Sequence, residues 1–271
     1  MRLAATRKRA TLIRALGLLR DVGVEQSDPQ RFYSHLGEDT AGMLSALLID
    51  AAFSGRTSCA RRGRGSGNPL RGLRVLDVGG GPGFFERAFS RRGARYFSVE
   101  PDVGEMTSAG LELRRCVRGS GTQLPFSPGV FDLAYSSNVA EHVPDPGLLA
   151  QELLRVTRPG GLCVISYTIW LGPFGGHETG LWEHYLGGYF ARRRYVKKHG
   201  HEPKNRFGES LFAVSCAAGM RWARQAEARG EAEVLGLFPR YHPSWAWWVA
   251  KVSVLREFLV SNLVIALRRR R

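Results

Sequence analysis

Apolar positions along the chain change their period several times. Between residues 6 and 20, Leu12, Ile13, Leu16 and Leu19 recur at helical spacing and predict an amphipathic helix. Asp28-Pro29 supplies an N-cap and a first-turn proline for a second helix that runs to about Ala52. Residues 54–72 are rich in glycine, arginine and serine and read as a flexible linker. From Leu73 onward the pattern alternates. Segments at 73–78, 96–99, 114–118, 131–136 and 162–167 read as strands, with helical repeats at 83–92, 103–111 and 147–157 between them. Such alternation predicts a parallel sheet with helices on both faces and right-handed crossovers. After a break at 168–213, the chain returns to a helix at 215–228 with Ser215 as N-cap, a strand at 234–238, a helix at 245–258 and a last strand at 263–267. The expected organisation is an N-terminal helical segment (1–53), a linker (54–72) and an α/β domain (73–271) that carries 168–213 as an insertion.

Composition adds few exclusions. The 271 residues are 44% apolar, enough for one large domain with appendages. The net charge of +15 reads either as arginine coding bias without function or as a surface for an acidic partner, whether nucleic acid, an anionic membrane surface or a phosphorylated substrate, and composition does not choose among these. Cys59, Cys116, Cys163 and Cys216 stand far apart, with no Cys-x-x-Cys and no zinc-spaced His/Cys cluster, so no metal site is expected. Cys163, in an apolar strand pattern, reads as a core thiol, and a reduced, cytoplasmic compartment is the default. The basic N-terminus lacks the apolar core of a signal peptide, and no run of apolar residues is long enough to span a bilayer.

The candidate chemistry starts where the first strand ends. Residues 75–85 read Val-Leu-Asp-Val-Gly-Gly-Gly-Pro-Gly-Phe-Phe. A strand feeding a glycine turn and then a helix is a small-molecule site. A P-loop would need Gly-Lys-Ser/Thr, but Phe84 and Phe85 follow Gly83. A dinucleotide loop would need G-x-G-x-x-G, but the third glycine falls one place early and Pro82 removes a backbone donor. Asp77, two residues before Gly79, suits a cationic amino-acid ligand better than a phosphate. Glu100 ends the second strand, where a carboxylate can accept hydrogen bonds from two ribose hydroxyls.

The spacing from Asp77 through Gly79, Gly81 and Gly83 resembles motif I of class I S-adenosylmethionine-dependent methyltransferases. Further along stand Gly-Ser-Gly-Thr-Gln-Leu-Pro-Phe (119–126), Ser-Ser-Asn-Val-Ala-Glu-His-Val-Pro-Asp (136–145) and Leu-Arg-Val-Thr-Arg-Pro-Gly-Gly-Leu (154–162). In this order they resemble the ubiquinone/menaquinone-type methyltransferases. Runs such as Arg14-Ala-Leu-Gly-Leu-Leu-Arg20, Trp170-Leu-Gly-Pro-Phe-Gly-Gly-His-Glu178 and Phe238-Pro-Arg-Tyr-His-Pro243 resemble uncharacterised actinobacterial, mycobacterial-type methyltransferases along nearly the whole chain. The resemblance implies a seven-stranded, mostly parallel Rossmann-like sheet and S-adenosyl-L-methionine as cofactor. It assigns the cofactor to Asp77, Gly79, Gly80, Gly81, Gly83, Glu100 and Asn138. Ser120 and Gly121 stand where the family usually carries an Asp-Ala pair that reads the adenine. His142 is either a general base or a positioning residue.

The 168–213 insertion reads as a lid over the acceptor. It holds His177 and Glu178, the leading candidates for acceptor contact, with His184, Tyr185 and Tyr189. Its cations, Arg192, Arg193, Arg194, Lys197, Lys198, Lys204 and Arg206, either form a solvated face or meet an anionic acceptor or membrane surface. The expected partner is a small-molecule or lipid-linked acceptor. A cofactor-binding regulator without turnover and a nucleic-acid methyltransferase are the alternatives, and no RNA-binding module stands beside the domain. The aromatic stretch from Trp245 is either an interfacial helix or a cover for the sheet.

Overall fold

The computed structural model describes residues 3–22, 27–53, 67–102, 104 and 115–270. Seven strands form one sheet: β1 (Arg74–Val78), β2 (Arg95–Glu100), β3 (Cys116–Arg118), β4 (Phe131–Ser137), β5 (Thr157–Thr168), β6 (Ala232–Pro239) and β7 (Asn262–Arg269). Their order is β3-β2-β1-β4-β5-β7-β6. The pairs β1–β2, β1–β4, β2–β3 and β4–β5 are parallel, while β7 runs antiparallel to both β5 and β6. The chain leaves β1 toward β2 and β3, then returns to β4 on the other side. That reversal opens a crevice at the carboxyl ends of β1 and β4.

The strands are apolar on both sides because helices cover both faces. On one face Leu76, Val78, Ala134 and Ile165 pack with Leu149 and Leu153 of α5 (Pro146–Val156) and with Met220 and Ala223 of α7 (Cys216–Ala228). On the other, Val75, Leu133, Val164 and Val264 pack with Leu44 and Leu47 of α3 (Pro29–Phe53) and with Phe89 of α4 (Glu86–Ser90). The N-terminal helix α3 is thus part of this core, and Leu44 and Leu47 are fully buried. Truncating either to alanine costs about 2–5 kcal/mol. Two helix starts, at Asp28 and Ser215, follow their sequence signals, and Asp145 caps a third. Asp28 Oδ1 accepts from Arg31 N, Asp145 Oδ1 from Gly147 N and Leu148 N, and Ser215 Oγ from Ala218 N.

Elsewhere tertiary contacts override the local pattern. The helix expected at 6–20 is two helices, α1 (Ala4–Arg9) and α2 (Leu12–Val22). The Ala10 carbonyl accepts from Ser244 N instead of continuing the helix, and Thr11 Oγ1 caps the new one through Arg14 N. Leu12, Ile13, Leu16 and Leu19 lie exposed, so the predicted apolar stripe is not buried. The helix expected at 245–258 is a 3-10 run, Ser244–Lys251, followed by α8 (Leu255–Leu259). Its two halves have different anchors: Trp247 stacks on Phe238, and Glu257 accepts from Cys216 N and Ala217 N at the start of α7. The helix expected at 83–92 shortens to α4, because the glycine loop runs on to Phe85. Residues 54–66 of the expected linker, and all but Gly104 of the expected 103–111 helix, lie outside the described residues; within 67–72, Leu70 is fully buried. Cys163 is a buried thiol, pushed up to about 12 by burial.

The 168–213 insertion folds into two 3-10 turns, His177–Thr179 and Glu183–Leu186, and helix α6 (Gly188–His199).

Candidate functional site

The glycine loop takes conformations closed to other residues. Gly79, Gly81 and Gly83 have φ of 81°, 51° and 86°. A side chain at Gly79 would overlap Val139, and one at Gly80 would fall 2.8 Å from Ser98 Cβ. At Gly81 a Cβ would meet open space, so there the backbone itself lines the crevice. The Gly81 N–H donates to Glu100 Oε2 at 3.1 Å, and Asp102 N donates to Glu100 Oε1 at 3.3 Å. Glu100 is buried at the carboxyl end of β2, next to the loop. α3 closes the loop from outside, with Tyr33 stacked on Phe84 at 5.4 Å.

Asp77 faces inward. Both Tyr96 Oη and Tyr135 Oη donate to its Oδ2 at 2.6 Å. Burial raises its pKa to about 6, against the lowering effect of the two tyrosines. The side chain therefore fixes the loop through β2 and β4. Ser120 Oγ bonds Thr122 Oγ1 in a turn beyond β3, and a Cβ at Gly121 would fall 2.8 Å from Leu149 Cδ1.

Asn138 follows β4 in the left-handed region, at φ 57°. Its N–H donates to the Ser166 carbonyl, and its Oδ1 accepts from Asn262 Nδ2 at 2.7 Å. The next turn, Ala140–His142, meets the insertion. His142 stacks on His177, with ring centroids 5.1 Å apart. His142 Nδ1 lies 2.7 Å from the Ser210 carbonyl, which can only accept, so Nδ1 is the donor there and Nε2 lies outside that bond. Burial and the neighbouring His142 push His177 down to about 4. Glu178, adjacent in sequence, turns away: its two oxygens accept from Asn205 N and Asn205 Nδ2. His184 is fully buried and bonds the Gly172 carbonyl, while Tyr185 and Tyr189 are exposed.

Residues 76–165 match the family described as Methyltransferase domain. An uncharacterised methyltransferase of Mycobacterium sp. (strain KMS) is 54% identical over 266 residues, covering 96% of each chain. One from Mycobacterium tuberculosis is 54% identical over 264 residues at the same coverage. The chain belongs to the S-adenosylmethionine-dependent methyltransferases. A solved structure from Listeria monocytogenes, provisionally named an S-adenosylmethionine dependent methyltransferase, shares the fold with TM-score 0.50 at 12% identity, over 74% of this chain and 92% of that one.

The methyltransferase crevice fits this cofactor. Bare backbone at Gly81 leaves room for the methionine portion, and the Glu100 carboxylate beside it suits ribose hydroxyls. Sequence reasoning missed the supports beneath it. Arg240 is fully buried, donating through Nη1 to Ser137 Oγ at 2.6 Å and Ser166 Oγ at 3.0 Å, and through Nη2 to Thr40 Oγ1 at 2.6 Å. It ties α3 to the ends of β4 and β5, directly before Asn138. Tyr96, Tyr135 and Glu141 were also passed over. The only signal for them was a polar group inside an otherwise apolar strand or turn.

Proposed function

We propose that this methyltransferase methylates a small-molecule or lipid-linked acceptor held between the cofactor crevice and the 168–213 insertion. The stacked pair His142–His177 carries this reading, because it joins the turn after Asn138 to the insertion. S-adenosylmethionine, when bound, supplies a methyl group already activated on a sulfonium. The chain's own tasks are then to hold the acceptor in line and to exclude water. Glu100 and the backbone of Gly79 and Gly81 hold the cofactor, with Asn138 at its methionine end. In the neutral ring the lone pair on His142 Nε2 can take a hydrogen bond, or a proton, from an acceptor hydroxyl.

An apolar rim supports a lipid-linked acceptor. Leu181, Trp182, Leu186 and Tyr189 of the insertion, Trp245, Trp248, Val254 and Phe258 near the C-terminus, and the α2 stripe are all exposed. Tyr185 and Phe258 lie 6.2 Å apart, linking the first two groups, and Arg7 lies over Trp247 at 5.0 Å, linking the C-terminal run to α1. Trp and Tyr beside cations, on a chain of net charge +15, suit an anionic bilayer surface. No helix among the described residues is long and apolar enough to cross a membrane. We therefore assign the protein a peripheral position on the cytoplasmic face. The test is to incubate the protein with methyl-labelled cofactor and a cell-envelope lipid extract. Label in the organic phase is expected; label only in water-soluble products would overturn the lipid-linked reading.

A further inference from the structure

Two segments that are far apart in sequence meet at Glu141, His142 and His177. One ligand-capable atom from each lies within 4.8 Å of the other two. Glu141 is buried, at 1% exposure. Its Oε1 accepts from Thr168 N at 2.9 Å, but its Oε2 has no hydrogen-bond partner among the described residues. His177 Nε2 is likewise buried without a partner. Buried polar atoms are normally satisfied, and a buried carboxylate oxygen and a buried imidazole nitrogen that both lack a protein partner can share a bound cation.

The outer contacts point the same way. His142 Nδ1–H donates to the Ser210 carbonyl, which leaves Nε2 as a free ligand atom. Glu141 is aimed by the Thr168 N–H through its other oxygen. Ligating histidines and carboxylates are held by just such second contacts. Ligand atoms about 2.1 Å from a zinc ion sit roughly 3.4 Å apart, so the trio needs only side-chain adjustment.

We propose that Glu141, His142 and His177 bind a divalent transition-metal ion of the zinc type. Two imidazoles and one carboxylate leave a coordination position open, as in catalytic rather than structural sites. Resting on the methyl-transfer reading, the open position takes the acceptor oxygen. A hydroxyl ligated there releases its proton to solvent water, and the metal then performs the activation that an imidazole would otherwise provide. Because His177 comes from the insertion, the ion also fastens that segment to the turn after β4.

The experiment uses the full chain, stripped with a chelator and titrated with Co2+ followed by visible absorption, then with Zn2+ as competitor. One Co2+ per chain, displaced by Zn2+, is expected, with affinity reduced by at least about 100-fold, the upper end of what losing an outer contact costs, in Glu141→Gln and in His177→Ala. His177→Gln, checked by far-ultraviolet circular dichroism, replaces any variant that fails to fold. Absence of the Co2+ spectrum in wild type, or an unchanged titration in the folded variants, overturns the proposal. Calorimetry with S-adenosylmethionine on the stripped protein keeps the two readings apart. Retained cofactor binding without metal uptake refutes only the metal site; loss of cofactor binding in metal-replete protein refutes the methyl-transfer reading.

Discussion

Tyr135 Oη donates to Asp77 Oδ2 at 2.6 Å from 58 residues away, across the β1–β4 pair that opens the crevice. With Tyr96 on the same oxygen, the carboxylate is clamped under the glycine loop and removed from solvent.

Burial of this carboxylate, only partly offset by the two tyrosines, makes stability depend on pH. Burial raises Asp77 from 3.8 to about 6, so between these values the native state holds a proton that the unfolded chain has lost. Stability contributed by this group falls as pH rises from about 4 to about 6, by about 3 kcal/mol, and is flat above that. Asp77→Asn should flatten that part of the profile in chemical denaturation across pH 4–8. A slope equal to wild type would refute the assignment. Tyr135→Phe should lower stability by about 1–3 kcal/mol, through the lost donor.

A second buried carboxylate behaves oppositely. Burial raises the Asp39 pKa, but Arg14, with both Nε and Nη2 on its carboxylate at 2.6 and 2.7 Å, together with Arg240 and Arg9 outweighs it and holds the group below its usual range. Its contribution is present above the unfolded value near 3.8 and is lost as pH falls through the lower folded one. Arg14 also donates to the Arg240 carbonyl, so the pair latches α2 and α3 to the end of β6. Arg14→Ala should cost about 3–5 kcal/mol and expose the N-terminal helices to early hydrogen exchange. A loss under about 1 kcal/mol would show that the latch is dispensable.

The apolar rim predicts vesicle binding. Cosedimentation with vesicles rich in anionic lipid should be strong at low salt and weaken as salt rises. Trp245→Ser with Trp248→Ser should reduce it several-fold without moving the melting temperature, since both side chains are exposed. Equal binding by the double variant would remove this rim as the docking surface.

The sheet and the glycine loop were legible because their signals are local. The apolar run of β1, the positive-φ glycines and Glu100 at the end of β2 follow one another in sequence and space. The caps at Asp28 and Ser215 were equally local, whereas Asp145 stood within a motif and was not read as a cap. What stayed hidden depends on distant partners. Nothing near Arg240 announces that it bonds Thr40, 200 positions away, or Ser137, 103 positions away. Glu141 looked like one more residue of a family motif until the insertion brought His177 against it. His177 and Glu178 read as a pair, yet a positive φ of 48° at His177 sends their side chains to different partners. The split at 252–254 follows from Trp247 and Glu257 each having a separate anchor, which no helical periodicity encodes.

Everything proposed for this site requires that the loop at Gly79–Gly83 and Glu100 hold S-adenosylmethionine. Titration calorimetry of the wild type, Gly81→Arg and Glu100→Ala tests it most directly. Wild type should bind with a dissociation constant in the range of about 1–100 µM, near −8 to −5 kcal/mol. Gly81→Arg, which fills the open space beside the loop, should show no heat, and Glu100→Ala should bind at least about 10-fold more weakly. No binding by folded wild type, or full binding by Gly81→Arg, would show that this loop does not hold the cofactor.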